Sequence, residues 1–266
     1  MQAIVLLVFM SLPLAVLLTA SVLGLVLLQE AFAPSAGAAT TTVPGARLPL
    51  LSGGALRSWA AGWARQFVAD FAARPRSPNT AVALARELES ETSRLLDRSL
   101  PEAAARDPHC RECSLQPIRV TAPEALAIVD ELRRHASPSD LRRVYARAQN
   151  NVRQRSLASP AETLVCPLLA DDECCSVFAA RPLYCRSHCG ADCILATEPR
   201  HVDDRQSVGG FAMTLGEGVS EGLTQALETA RLNGRSYELN HAVVQAVDVP
   251  NAAARWARGE QVFDVF

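Results

Sequence analysis

The chain has 266 residues, 49% of them apolar, and a formal charge of −2. That length allows one or two domains with a substantial core, and the near balance of charge argues against nucleic acid or an acidic substrate as a partner. All 26 basic residues are arginine, which excludes Schiff-base chemistry and a Walker-type lysine; their scatter fits codon bias better than a phosphate-binding face.

Residues 3–28, AIVLLVFMSLPLAVLLTASVLGLVLL, carry no charge. As a helix they span roughly 39 Å, more than the ~30 Å hydrocarbon core of a bilayer. Pro13 is tolerated as a kink in such a helix. A cleaved signal peptide is the alternative, with Ala31-Phe32-Ala33 as its small-residue cleavage site, but no basic residue precedes the apolar run and the run is long for that role. The expected element is a retained single-pass anchor through residues 3–28. Arg47 is the nearest basic residue after it, a slight bias that places the bulk of the chain in the cytoplasm.

Residues 30–54, rich in Ala, Thr, Pro and Gly, are expected to form a flexible tether. From Ala55 onward Leu56, Trp59, Trp63, Phe67 and Phe71 recur at three- and four-residue spacing, a stripe that predicts a helix with these side chains in the core. A lipid-surface role is the alternative for the tryptophans. A second helix is expected from Thr80 to Leu96, capped by Asn79. The run Thr121-Ala-Pro-Glu124 has the form of a capping box and opens a third, with Leu126, Ile128, Val129 and Leu132 inward. Ser137-Pro138 opens a fourth, with Leu141, Val144, Tyr145 and Ala148 inward and its arginines (142, 143, 147, 153 and 155) on a solvated face. Leu115–Thr121 is the one candidate strand. Further helices are expected over GEGVSEGLTQALETARLNGR, ended at Asn233-Gly234, over SYELNHAVVQAVDV, and over NAAARWARGEQVF.

The eight cysteines all fall between residues 110 and 193, five of them in the 24 residues from Cys166 to Cys189. Cysteines buried for their apolar character would spread through the core helices. Two readings of the cluster remain. In one, Cys110-Arg-Glu-Cys113 forms a knuckle whose two thiolates grip an ion, zinc or iron, with the loop around Cys166, Cys175 and Cys185 completing the site. Arg111, Arg181 and Arg186 then stand where they offset the negative charge of the thiolates. In the other, the thiols form four disulfides in a periplasmic binding module. The adjacent pair Cys174-Cys175 cannot comfortably bond to each other, which counts against it.

The run Cys166-Pro-Leu-Leu, Cys175-Ser-Val-Phe, Arg181-Pro182-Leu183 and Cys185-Arg186 resembles the YkgJ-type cysteine-cluster family, whose shared region is described as a zinc- or iron-chelating domain. Upstream, DPHCRECSLQPIRVTAPEA is similar to the first half of that pattern, with Cys110 and Cys113 at its second and third cysteines. Asp107 and Ser114 stand where the first and fourth would be; Cys174, Cys189 and Cys193 are additional. The resemblance covers about residues 107–193. It implies Cys110, Cys113, Cys166, Cys175 and Cys185 as ligands of zinc or iron, as an ion or an iron–sulfur cluster, and it implies no agreed reaction; where the chain departs from the pattern, Asp107 through oxygen and His109 or His188 through nitrogen are donors that zinc accepts. Some relatives are associated with flagellin lysine methylation, so a methyl-transfer enzyme is a further alternative.

Nothing else marks a catalytic centre. Ser207–Gly210 and Gly216–Gly218 are expected as turns and not phosphate cradles, because no strand precedes them. His201 with Asp203 and Asp204 is expected as a polar loop, and His241 as an ordinary helix histidine. No Ser/His/Asp motif is present, and no aromatic platform for nucleic acid. The expected organisation is mainly α: an anchor at 1–29, a tether at 30–54, helices at 55–106, a cysteine-cluster metal-binding domain at 107–193 with its cysteines in a loop-rich insert, and a helical extension at 194–266.

Overall fold

A computed structural model describes residues 53–99, 117–157, 164–189 and 202–264. The expected anchor, nearly all of the tether, and Cys110, Cys113 and Cys193 lie outside the described residues. Among the described residues no helix is long and apolar enough to cross a membrane.

The described chain is mainly α-helical. In order it runs α1 (Gly53–Ala72), α2 (Thr80–Ser99), β1 (Arg119–Thr121), α3 (Ala122–His135), α4 (Pro138–Leu157), a 3-10 turn (Phe178–Ala180), α5 (Leu183–Cys189), α6 (Val202–Thr229), β2 (Ser236–Glu238), α7 (Leu239–Asp248) and α8 (Ala252–Ala257). One hydrophobic cluster runs from Leu56 in α1 to Phe263 beyond α8.

The two strands pair antiparallel, Val120 opposite Tyr237, and each passes directly into a helix, β1 into α3 and β2 into α7. The Leu239 N–H donates to the Ile118 carbonyl at 2.9 Å. Residues 236–238, expected as the start of a helix, are strand because β1 needs a partner; a three-residue strand has no periodicity from which to be read. Glu238 then caps α7, its carboxylate accepting from the His241 N–H at 3.1 Å.

Helices α1 and α6 pack along their length with small residues between them. A Cβ on Gly218 would lie 2.5 Å from the Arg57 carbonyl oxygen, and one on Gly222 would lie 2.3 Å from that of Ala61. Arg57 reaches Glu217 and Glu221, and Arg65 reaches Gln225, so residue numbers rise together and the helices run parallel. This packing corrects two expectations. The fully buried line of α1 is Leu56, Ala60, Ala64, Val68 and Phe71, with Ala61 beside it, whereas Trp59, Trp63 and Phe67 flank the core half-buried. The glycines at 209, 210, 216 and 218 lie within α6 and not in turns, as do Asp203 and Asp204. Backbone contact between helices demands residues without bulk, so a helix read for large apolar side chains is read about the wrong axis.

Helix α6 stops at Thr229 and not at Asn233-Gly234. Arg231 takes the left-handed conformation and the Leu232 N–H closes on the Leu227 carbonyl at 2.8 Å, a Schellman-type ending.

Gly222→Ala is expected to destabilise the chain by about 1–3 kcal/mol, since the clash is with backbone. Gly62→Ala on α1, whose new methyl would meet only the end of Arg65 at 3.7 Å, is expected to stabilise by about 0.5–1 kcal/mol. Urea unfolding of both variants checks the opposite signs.

Candidate functional site

The cysteine segment begins as a hairpin. The Ala170 N–H donates to the Cys174 carbonyl at 2.8 Å and the Ser176 N–H to the Leu168 carbonyl at 2.9 Å, which sets Leu169 opposite Cys175. At its base the Leu169 N–H closes a turn on the Cys166 carbonyl at 3.2 Å. At its tip Glu173 adopts φ 67°, a left-handed conformation that a β-hairpin turn of this kind requires.

This hairpin is fastened to α4. Arg147 donates to the Leu169 carbonyl at 2.5 Å, Arg143 pairs with Asp171 at 2.8 Å, and the Asn151 amide donates to the Val165 carbonyl at 2.9 Å. The same amide donates to Asn240 on α7, also at 2.9 Å. Arg143 and Arg147, expected on a solvated face, are therefore half-buried clamps on the loop that carries Cys166, Cys174 and Cys175. Their role was not legible because a surface arginine and an arginine bound to a distant carbonyl have the same local pattern.

After the 3-10 turn, whose Phe178 N–H reaches the Cys175 carbonyl at 3.2 Å, the chain enters α5, which carries Cys185, 4% exposed. Two buried carboxylates hold α5. Glu124, in the first turn of α3, accepts the Thr121 N–H at 2.7 Å and the Thr121 hydroxyl at 2.8 Å on one oxygen, and on the other the Leu183 N–H at 3.0 Å, where α5 begins. The capping glutamate anticipated for α3 thus serves two helices. Glu89 on α2 lies 3.5 Å from the Arg186 guanidinium. Arg186 also donates to the Ser93 hydroxyl at 2.8 Å and to the carbonyls of Ala179 at 2.6 Å and Arg181 at 2.7 Å. Arg186, expected as a counter-charge for thiolates, has Glu89 as its carboxylate and knits α5 to α2.

Burial pushes the Glu89 carboxyl well above the usual carboxylate range, against the pull of Arg186 and with added repulsion from Glu124. Burial likewise raises Glu124, although three donors on Thr121 and Leu183 oppose the shift. His241 lies half-buried on α7, as expected of an ordinary helix histidine, and burial lowers its pKa.

Of the five candidate ligands, the described residues include Cys166, Cys175 and Cys185. Cys166 and Cys175 belong to one hairpin and pack against the core that contains Cys185. Among the described residues no three Cys, His, Asp or Glu side chains are grouped as ligands of one ion. The donors themselves fit zinc or iron, being thiols at the base of a tight turn. The Arg181 side chain is buried with its guanidinium 3.7 Å from the centroid of the Phe178 ring, and among the described residues its Nε has no hydrogen-bond partner, as is also so for the Nε of Arg86 and Arg143.

Because burial raises Glu89 and Glu124, the folded chain retains protons that the unfolded chain releases. Their contribution to stability is full below the ordinary carboxylate range and is lost as pH rises through the raised values. Glu89→Gln, which cannot ionise, is expected to gain stability relative to the native chain as pH rises above that range, read from urea midpoints across pH. Glu124→Ala, which strands buried N–H donors, is expected to cost about 1–3 kcal/mol or more, measured in the same way.

Comparison with protein-family models, with curated proteins and with solved structures gives no match.

Proposed function

We propose that the chain is a membrane-anchored protein that holds zinc or iron, as an ion or an iron–sulfur cluster, through Cys110, Cys113, Cys166, Cys175 and Cys185. The observation that carries this reading is the investment of fixed contacts in the cysteine segment: three α4 side chains on the hairpin, and two buried carboxylates on helix α5 that follows. A cysteine-rich loop of no consequence needs no such fastening. The hairpin pair Cys166 and Cys175 supplies too few donors alone; Cys185 and the proposed knuckle Cys110–Cys113 bring the candidates to five, of which four thiolates suffice for a closed zinc or iron–sulfur site. When bound, the metal holds the segment together or passes electrons.

Residues 3–28 anchor the chain by length and apolarity. The bulk of the protein lies on the cytoplasmic side, where thiols remain reduced and available to metal.

Purification of the full chain in detergent without oxygen, followed by elemental analysis, is the deciding experiment. Stoichiometric zinc in a colourless sample, or iron with sulfide in a brown one, is the expected result. Cys166→Ser and Cys175→Ser are each expected to release metal to a chelator about tenfold faster or more, with release of structure in the segment. A chain with neither metal, or with all eight cysteines in disulfides, overturns the proposal.

A further inference from the structure

Helices α1, α5 and α6 and the strand pair enclose a cleft of about 520 Å³, a volume typical of sites for small molecules. Its wall carries two arginines, Arg57 and Arg119, and three carboxylates, Glu124, Glu217 and Glu221. Their partners separate them. Glu124 is committed to Thr121 and to the Leu183 N–H. Glu217 and Glu221, both solvent-exposed, share the single guanidinium of Arg57 at 3.1 and 3.0 Å. Two carboxylates on one guanidinium leave that side of the cleft with an excess of negative charge.

Arg119 is the opposite case. It donates to the Ser236 hydroxyl at 3.1 Å and to the Ser236 carbonyl at 2.5 Å, and it forms no ion pair among the described residues. Glu238, directly across the strand pair, is the carboxylate placed to neutralise it. That carboxylate instead bonds the Asn240 amide at 2.7 Å, the His241 N–H at 3.1 Å and Arg155 at 3.5 Å. The strand side of the cleft is therefore positive. Helix α6 adds the Ser220 and Thr224 hydroxyls to the same wall, and neither has a hydrogen-bond partner among the described residues.

A simple anion drawn to Arg119 meets Glu217 and Glu221, and a simple cation drawn to those carboxylates meets Arg119. A molecule that carries both charges satisfies both sides. The acidic pair at 217 and 221 and the hydroxyl pair at 220 and 224 are offset by three residues, about 4.5 Å along the helix axis. That exceeds the reach of a single α-amino acid between its ammonium and carboxylate, and suits two residues of chain at ~3.3–3.6 Å each. We infer that the cleft binds a small zwitterion of the dipeptide class, its carboxylate on Arg119 with the Ser220 and Thr224 hydroxyls, its ammonium on Glu217 and Glu221. This site stands independently of the metal reading above.

Calorimetry on the full chain in detergent tests it, with alanylalanine and phenylalanylglycine as probes beside their N-acetylated and C-amidated forms. At least one dipeptide is expected to bind with a Kd of about 1 mM or tighter, and its two blocked forms about tenfold or more weakly. Arg119→Gln is expected to abolish the preference for the free carboxylate over the amide and to keep that for the free amine. Glu217→Gln, which leaves Arg57 paired with Glu221, is expected to do the reverse. No binding of either dipeptide at about 10 mM, or a blocked form that binds as tightly as its parent, overturns the inference, as does a variant that keeps both preferences. The comparison among ligands needs only the native chain, so it decides the matter even where a variant fails to fold.

Discussion

The carboxylate of Glu124 is the constraint on which the cysteine region depends. It is 3% exposed, and its two oxygens face opposite ways: one holds the strand-to-helix junction at Thr121, the other the first N–H of α5. A helix start inside a protein has several backbone donors without intrahelical partners, and here one side chain supplies acceptors to two such starts. Burial raises its pKa despite those donors, which means that desolvation outweighs the hydrogen bonds it accepts. The helix bearing Cys185 is placed by this joint and by Arg186 against Glu89, and no long apolar stripe of its own is needed.

Behind that joint, the parallel pair α1 and α6 forms a rigid backing. Gly218 and Gly222 let α6 approach α1 at backbone distance, and Gly216 turns a third small face toward α5, where a Cβ would fall 2.5 Å from Ser187. Close backbone approach leaves little room for sliding, since any displacement meets carbonyl oxygen and not a flexible side chain. The arrangement explains why a helix of 28 residues tolerates several glycines that would otherwise weaken it.

The cysteine hairpin differs from both elements in how it is held. It is tied to α4 by polar side chains that grip backbone carbonyls, with Asn151 linking the hairpin to α7 at the same time. Such contacts place a loop without filling it with apolar bulk, and leave its thiols beside the core. The two arginines of the Arg-Pro-Leu-Tyr-Cys-Arg run differ: Arg186 bonds Glu89, Ser93 and two carbonyls and fixes α5, while Arg181 is buried with its guanidinium over the Phe178 ring.

Much of this was legible in local pattern. The capping box at Thr121–Glu124, the helix from Thr80 and the inward side of α3 follow from residues three and four apart, because helices satisfy their own backbone and advertise their faces at that spacing. The clustering of the cysteines and the apolar run at residues 3–28 are likewise properties of the chain alone. What the chain alone does not carry is which distant groups meet. The burial of Ala60 and Ala64 in place of Trp59 and Trp63, the pairing of residues 236–238 with β1, the grip of Arg143 and Arg147 on the hairpin, and the second use of Glu124 at Leu183 were decided by tertiary structure. Each depends on a contact between residues 22 or more apart in the chain, where a small side chain or a charged one gains its meaning from a partner that local spacing cannot name.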